Sequence, residues 1–471
     1  MATNEEKKWY HVVVPHPYVL ILFIIIVAAL ATYIIPAGEF ARVLNPATGK
    51  KVVEAGSFKI IPQHPVSMGT LLMSVQLGLI AAADIVFYVL IIGGAFGVIL
   101  ETGAINALLA KVVTRFGGRH EKRVIVFITA FFGLCAASFG MYGESLVFTP
   151  FLVVLAISMG YDAIVGVSMT MVAVSAGYAC AFLNPFTIGL AQGIAGLPLF
   201  SGLLFRIAFF AVFMSVTIWY ILRYAVKVKN DPSSSLVKDI DYSDLAVTDD
   251  PTKMVLTAGH MRVLFVFFGS LVVLVIGAIK FNFFISHLAS LFLIMGILVG
   301  LVYGMKSGDI ADYFIKGAQS MVYAALIVGV ARGIMVVMEE GRIMDSVVYY
   351  LTQPLTALPV YLSAAFMVPV QSLINFFVPS GSGQAMVSIP IMAPIGDLLG
   401  ISRQVTVLAY HIGDGITNVI IPTNGPLMAG IAMGRIPYTK WVAFVAKLVG
   451  IQMALGMLCV VVAVLIGLGP F

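Results

Sequence analysis

The sequence has few charged residues and few cysteines. Only 10% of its 471 residues are charged and 61% are hydrophobic, whereas a soluble domain is about 25% charged. The polar groups are too few to cover the surface of a water-soluble protein of this size. The three cysteines lie in apolar segments and show no metal-ligand spacing. These scarcities exclude a soluble enzyme and a disulfide-rich secreted domain.

Motifs for energy-coupled chemistry are also missing from the sequence. It contains no P-loop, no other ATP-binding pattern and no HExxH sequence, so neither ATP-driven pumping nor membrane proteolysis is indicated. The net charge of +5 comes from basic residues in short loops, which is typical of membrane topology signals and not of nucleic-acid binding. We expect no enzyme activity, no nucleic-acid partner and no organic cofactor.

Long apolar segments are abundant. A helix of about 20 apolar residues crosses a bilayer, and membrane lipid is therefore the expected surrounding of this chain. The pattern predicts an all-α integral membrane protein with about nine spanning helices, at 18–36, 83–102, 162–191, 203–225, 262–280, 286–304, 321–339, 402–430 and 440–468.

Two further apolar stretches are broken in the middle by small polar residues. Stretch 121–159 breaks at FGMYGES, and stretch 359–398 breaks at FVPSGSGQ. Spans 162–191 and 402–430 are interrupted by Gly, Asn and Pro in the same way. Because such backbone is not tolerated against lipid, we predict two re-entrant hairpins and two broken helices. We call 121–159 hairpin 1 and 359–398 hairpin 2.

The chain divides into two similar halves. A polar linker at 226–261 separates residues 1–225 from residues 262–471. Motifs recur across it at offsets of about 236 to 239 residues; for example, LETGAI at 100–105 resembles MEEGRI at 338–343. Lys and Arg in the loops place the linker in the cytoplasm, and the hairpins then enter from opposite faces. The sequence therefore predicts an inverted repeat with hairpin 1 and broken helix 162–191 in the first half.

Inverted repeats with broken helices near the bilayer centre are typical of secondary transporters. Two carboxylates lie in the predicted breaks, Glu144 in hairpin 1 and Asp414 in the second broken helix. No Lys or Arg lies in either tip or break, so a cationic substrate, a proton or Na⁺ must share the site. The alternative is that each carboxylate caps a half-helix in a wet cavity.

Polar partners for a substrate accompany these carboxylates. Hydroxyls, amides and free N–H groups could hold an α-carboxylate and an α-amine, although each could also cap a helix. The predicted substrate site consists of Glu144, Ser145, Asn184, Ser380, Gly381, Ser382, Gly383, Asp414, Thr417, Asn418, Thr423 and Asn424. No resident metal is expected.

Three other side chains have open interpretations. Arg332 lies within an apolar span and either binds a substrate carboxylate or, as we expect, pairs with Asp84 or Glu101. His411 either relays protons or, as we expect, is structural. Trp441 lies near a span end, where interfacial aromatic residues are usual.

The chain resembles the YfcC/ArcD-type family of basic amino acid antiporters in three segments: 375–384 (NFFVPSGSGQ), 413–418 (GDGITN) and 422–424 (PTN). That family is related to the anaerobic C4-dicarboxylate carriers and belongs to the ion transporter superfamily. The resemblance implies a homodimer in the bacterial inner membrane, with a scaffold domain and a mobile transport domain that works as an elevator. Segments 104–116 and 342–354 would be the arms that join the two domains.

The sequence thus leads to a specific functional expectation. We expect a secondary transporter that exchanges a basic amino acid, such as arginine for ornithine, with Na⁺ or H⁺ as the coupling ion if one is used. The alternative is a Na⁺- or H⁺-coupled C4-dicarboxylate carrier, for which cationic side chains would be expected at the tips.

Overall fold

The computed structural model describes residues 17–45, 50–54, 56–105, 107–108, 111, 121–242, 256–281 and 285–469. Helices dominate this part of the chain. The α-helices are α1 (Pro17–Ile34), α2 (Met68–Ala81), α3 (Ala83–Glu101), α4 (Glu121–Phe139), α5 (Thr149–Ser158), α6 (Ala163–Val167), α7 (Ala173–Ala179), α8 (Leu190–Ala195), α9 (Leu203–Asn230), α10 (Ala258–Lys280), α11 (Ile285–Tyr303), α12 (Ser307–Ser320), α13 (Val322–Glu340), α14 (Met344–Thr352), α15 (Val360–Phe377), α16 (Gly381–Leu398), α17 (Arg403–Thr417), α18 (Gly425–Met433) and α19 (Tyr438–Leu465).

Single turns of 3₁₀ or π helix join several of these helices. They lie at Gly143–Phe148, Ser168–Val172, Pro185–Gly189, Pro232–Ser234 and Gln353–Ala357. The predominantly helical fold is confirmed. Of the two arms, the first lies largely outside the described residues, and the second contains α14.

Five helices of the described chain are long and apolar enough to cross a membrane: α3, α9, α11, α15 and α19. The pair α12 and α13, bent by 44°, would make a sixth. Several expected spans are divided into shorter pieces, since 162–191 contains α6, α7, α8 and two π turns. The count of nine spans and the re-entrant course of the hairpins stay predictions.

The loop between α1 and α2 has structure that the sequence did not predict. It forms strands β1 (Gly38–Glu39), β2 (Arg42–Asn45), β3 (Lys50–Val53) and β4 (Lys59–Ile60), paired as antiparallel β1–β4 and β2–β3. An apolar cluster joins this loop to α14, α15 and α16; it comprises Phe40, Val53, Val348, Ile374, Val378 and Ile391. The strand loop therefore rests on hairpin 2.

Helix bounds repeat across the two halves. Both ends of α2 precede the ends of α12 by 239 residues, and both ends of α3 precede those of α13 by the same number. The break between α2 and α3 at Ala82 therefore corresponds to the break at Met321. Sequence reasoning missed α2 and α12, because α2 has only 14 residues and α12 carries several charged residues.

The halves meet through glycines. Gly78 of α2 packs against the backbone of Gly333 in α13, and Gly97 of α3 packs against Gly317 in α12. A Cβ atom on Gly97 would lie 2.7 Å from the Gly317 Cα. Small residues let membrane helices approach closely enough to gain dispersion energy. Because α2 and α3 correspond to α12 and α13, the two contacts are related by the repeat.

Ion pairs fix the loops in two places. Arg42 of the strand loop pairs with Asp345 of α14 at 2.9 Å. Lys229 pairs with Glu121 at the start of hairpin 1, also at 2.9 Å. The Lys440 ammonium beside Asp239 of the linker lowers the pKa of that carboxyl. The linker and the start of hairpin 1 thus share one end.

Trp441 does not have the interfacial position that the sequence suggested. Its side chain is fully buried, and its indole N–H donates to the carbonyl of Val419 at 2.8 Å. The indole satisfies a backbone carbonyl that the end of α17 leaves free. Its role is therefore to anchor the second broken helix inside the protein.

Candidate functional site

The tip of hairpin 2 is a tight turn between two helices. Helix α15 ends at Phe377 and α16 begins at Gly381. The Ser380 hydroxyl accepts a hydrogen bond from the Gly383 N–H at 3.3 Å and so caps α16. The N-terminus of an α-helix therefore lies at the tip.

A cavity of about 340 Å³ adjoins this tip. We call it the tip cavity. It contains five of the predicted site residues, Ser380, Gly381, Ser382, Asn418 and Asn424. The remaining lining residues are Ala81, Ala82, Asp84, Ile85, Tyr142, Tyr178, Arg332, Pro379 and Pro426. The breaks of hairpin 2, the second broken helix and the α2–α3 junction thus meet at one cavity.

A second cavity, of about 510 Å³, lies between the strand loop, α13, α14 and hairpin 2. We call it the vestibule. It shares Arg332 and Ser380 with the tip cavity and contains Gly383. Its charged lining residues are Glu39, Arg42, Lys51, Arg332, Glu339, Arg342 and Asp345. The two cavities are therefore adjacent, with Arg332 and Ser380 in the wall of each.

Asp414 lies within α17, behind the tip, and not in a break as predicted, because α17 stays helical to Thr417. It is fully buried, and neither carboxylate oxygen has a hydrogen-bond partner among the described residues. A Cβ atom on Gly381 would lie 3.1 Å from Asp414 Oδ2 and 2.9 Å from the Tyr178 hydroxyl. The Tyr410 hydroxyl donates to the Gly381 carbonyl at 2.5 Å. Asp414 thus lies directly behind Gly381, which lines the tip cavity.

Asn375 of α15 holds the second broken helix against hairpin 2. Its amide nitrogen lies 2.9 Å from the Asp414 carbonyl, 3.0 Å from the Thr417 hydroxyl and 2.9 Å from Asn418 Oδ1. The Asn424 amide also donates to Asn418 Oδ1, at 2.8 Å. Sequence reasoning did not propose Asn375 for the site, although it begins the segment that carries the family resemblance.

The other predicted residues do not line the tip cavity; those of the first repeat make local contacts, and Thr423 contacts hairpin 2. Glu144 Oε2 accepts from the Tyr142 N–H at 3.0 Å, and the Ser145 hydroxyl donates to the Tyr142 carbonyl at 2.6 Å. Asn184 accepts from the Phe186 N–H at 2.9 Å. The Thr423 hydroxyl donates to the Phe376 carbonyl, also at 2.9 Å. Glu144 thus binds the backbone just before the 3₁₀ segment Gly143–Phe148, whose N-terminus has no side-chain cap.

Arg332 does not pair as we expected. No carboxylate of the described residues lies within 4.0 Å of its guanidinium group, and its one described hydrogen bond goes to the sulfur of Met335 at 2.9 Å. Asp84 lines the same cavity, where its Oδ1 accepts from the Ile85 N–H at 2.9 Å. Neither Asp84 nor Glu101 therefore neutralises Arg332.

His411 lies one helical turn before Asp414 and is fully buried. Its Nε2 contacts the Thr187 hydroxyl at 2.7 Å, whereas Nδ1 has no partner among the described residues. Residues 187 and 411 belong to the first and second broken helices. This contact therefore links the two repeats behind the tip cavity.

The described residues contain no group of three or more His, Cys, Asp or Glu side chains that could hold a metal ion.

Residues 14–465 match the family model described as DcuC: C4-dicarboxylate anaerobic carrier. The chain belongs to the DcuC family. This member is 33% identical over 508 residues to the "Putative basic amino acid antiporter YfcC" of Escherichia coli strain K12, with 99% of each chain covered. The expected family is confirmed.

Other similar proteins are more distant. An uncharacterized protein of Haemophilus influenzae is 28% identical, with 98% of this chain and 99% of that protein covered. The YdaH transporter of Alcanivorax borkumensis has a TM-score of 0.42 at 17% identity, covering 97% of this chain and 100% of its own. MtrF of Neisseria gonorrhoeae, from a class of antimetabolite efflux pumps, has a TM-score of 0.40 at 17% identity, with 95% of each chain covered.

The family and the apolar helices together give a coarse assignment. The protein is a multi-pass member of a transporter family in the bacterial inner membrane.

Proposed function

We propose that the protein is a secondary antiporter that exchanges basic amino acids of the arginine and ornithine type. The observation that carries the proposal is the buried, unpartnered carboxylate of Asp414 beside the tip cavity. A charge at this depth costs roughly 2.5 to 3.5 kcal/mol or more unless it is neutralised. The cationic side chain of a basic amino acid would supply that neutralisation.

The substrate cation would reach Asp414 at Gly381. Gly381 has no side chain between its backbone and Asp414, and Tyr178, whose hydroxyl lies beside the same position, lines the cavity. Polar groups from both elements of the second repeat would surround the substrate here: Ser380, Gly381, Ser382, Asn418 and Asn424. The proposed site is completed by residues that would either contact the substrate directly in another conformation or hold the helix breaks in place. These residues are Glu144, Ser145, Asn184, Gly383, Thr417 and Thr423.

The proposed mechanism is an elevator in a homodimer. Hairpins 1 and 2, with 162–225 and 402–468, would form the transport domain, and the remaining spans would form the scaffold. A proton or Na⁺ on Asp414 would neutralise it whenever the substrate is absent. The contacts of Asn375 with the second broken helix support the proposal that hairpin 2 and that helix move as one unit.

The alternative is C4-dicarboxylate transport. The description of the family favours it, and so does Arg332, which supplies one positive charge to the tip cavity. A dicarboxylate, however, requires two neutralising charges, and Asp84 places a negative charge in the same cavity. The balance of charges therefore favours a basic amino acid.

Exchange in proteoliposomes tests the proposal. Asp414→Asn should weaken the uptake of arginine in exchange for internal ornithine, because loss of one partner of a buried charge pair costs about 2 to 5 kcal/mol, or roughly 30-fold to several-thousand-fold in affinity. Asp309→Asn, at an exposed position on α12, is the matched control. Wild-type affinity for arginine in Asp414→Asn would defeat the proposal, whereas succinate exchange that is lost in this variant would favour the alternative.

Glu144→Gln separates the two roles of Glu144. The glutamine carbonyl can still accept the Tyr142 N–H, so this backbone contact survives the substitution. If Glu144 contributes its charge to the substrate, arginine exchange should fall as in Asp414→Asn. Unchanged exchange would remove Glu144 from the site and leave Asp414 in it.

A further inference from the structure

We propose that Arg332 and Asp84 form a head-group site in the tip cavity, which holds the α-carboxylate and the α-ammonium group of an amino acid. The inference rests on the proposed function and deepens it, since it specifies which part of the substrate each charge recognises. Asp414 would then bind the cationic side chain at the other end of the substrate.

Arg332 has unused binding capacity. It lies in the middle of the apolar helix α13 and is half-buried, so its charge is costly without a partner. A guanidinium group has five N–H donors, and only the weak acceptor sulfur of Met335 receives one among the described residues. Its presence in the walls of both cavities puts this group where a substrate passes from the vestibule to the tip.

Asp84 offers the complementary charge. It lies in the first turn of α3, where any acidic residue interacts favourably with the helix dipole. The helix dipole alone explains why an acidic residue occurs at this position, but it does not explain why Asp84 lines the same cavity as Arg332. The two opposite charges line one cavity of about 340 Å³ and do not form an ion pair. A zwitterion satisfies both charges at once.

The arrangement discriminates between classes of substrate. A diamine would neutralise Asp84 and Asp414 but leave Arg332 without an acceptor. A dicarboxylate would satisfy Arg332 but meet two carboxylates. An α-amino acid with a cationic side chain matches all three charges, and the cavity volume falls within the range of about 300 to 1,000 Å³ typical of small-molecule sites.

The test compares lysine with analogues that each lack one group. Cadaverine lacks the α-carboxylate, and 6-aminohexanoate lacks the α-amine. Each compound competes with labelled lysine for exchange in proteoliposomes containing the full-length protein. The wild type should prefer lysine to both analogues by about tenfold or more, since a charged hydrogen bond is lost with each group.

The variants separate the two roles. Arg332→Gln should weaken lysine by about tenfold or more without weakening cadaverine, and Arg332→Lys should lie between, because it keeps the charge and loses the planar fork. Asp84→Asn should weaken lysine and spare 6-aminohexanoate. Arg262→Gln, exposed on α10, should change neither ratio. If Arg332→Gln melts like the wild type and keeps the preference for lysine over cadaverine, the head-group site is refuted.

Failure of the inference differs from failure of the proposed function. If the wild type exchanges neutral amino acids and not lysine, and both variants lose them, the head-group site stands and the basic substrate falls. If the wild type binds succinate and Asp84→Asn strengthens that binding, Asp84 is not an ammonium site, and the inference is overturned.

Discussion

The glycine contact between the two halves gives a sharp test of the fold. Gly97 and Gly317 face each other across α3 and α12, and neither can accept a side chain without moving the backbone of the other. A Cβ atom on Gly317 would lie 2.8 Å from the Gly97 Cα and 2.9 Å from the Gly97 nitrogen. Contacts of this length are well inside van der Waals distance. Gly97→Ala and Gly317→Ala should therefore both force the helices apart.

The sign of the effect follows from two opposing terms. Alanine is favoured over glycine in a helix by about 1 kcal/mol, whereas an overpacked core loses typically 1 to 3 kcal/mol. Since the obstructing atoms belong to the backbone and cannot rotate away, the upper part of that range applies, and the net loss should be about 1 to 2 kcal/mol. Gly450 of α19 has no atom within 4 Å of its Cβ position, so Gly450→Ala should be neutral or stabilising.

Thermal unfolding in detergent measures the difference. The three cysteines are free and buried, so a thiol-reactive fluorophore reports the exposure of the interior on heating. We expect Gly97→Ala and Gly317→Ala to melt below the wild type and Gly450→Ala at or above it. If all three melt together, the two helices are not in backbone contact, and the arrangement of the halves is wrong.

Two further predictions concern topology and the second broken helix. Cysteines at the exposed positions Lys122 and Gln353 should react with an impermeant maleimide from the cytoplasmic and the periplasmic side respectively; reaction of both from one side would refute the inverted repeat. Asn375→Leu removes an amide whose two N–H groups are shared among three acceptors of 414–418. It should destabilise the protein by about 2 kcal/mol, at roughly 1 kcal/mol per donated hydrogen bond. Thr423→Val, which removes one hydrogen bond to the Phe376 carbonyl, should cost less, and the reverse order would count against this network.

Sequence periodicity and motifs located many of the site residues that come from the second repeat. The break in the apolar pattern identified the tip at 377–384. The interruption expected from 413 onwards begins only after Thr417, where α17 ends. The structure brings Ser380, Gly381, Ser382, Asn418 and Asn424 to one cavity. A helix break has a local cause, because Gly, Pro and Asn disfavour the helix where they occur. Elements defined by local composition were therefore predictable.

The opposite wall was predicted only in part, since Asp84 was named as a possible ion-pair partner of Arg332 and the two residues line one cavity without pairing. Asp84 and Arg332 come together because α2 and α3 pack against α12 and α13. This packing depends on contacts of Gly78 with Gly333 and of Gly97 with Gly317, which are far apart in the sequence. A single sequence does not reveal which helices touch. The constant offset between the repeats was the available signal for this packing. If the polar helix α12 had been identified in the sequence, the offset would have predicted α2. The burial of Trp441 likewise depends on tertiary packing.

The strand loop constrains how any transport movement could occur. On the proposed elevator, the loop belongs to the scaffold, while Val378 and Ile391 of hairpin 2 belong to the moving domain. Phe40 and Val53 now pack against those residues, and Arg42 pairs with Asp345 of α14 at the same end. Movement of hairpin 2 towards the linker end would therefore expose this apolar cluster unless the loop moved with it. Because burying a large apolar side chain is worth about 1.5 to 3 kcal/mol, the cluster stabilises the conformation in which the vestibule and the tip cavity adjoin. The substrate must offset that difference, and Asp414, Arg332 and Asp84 are the charges that could do so.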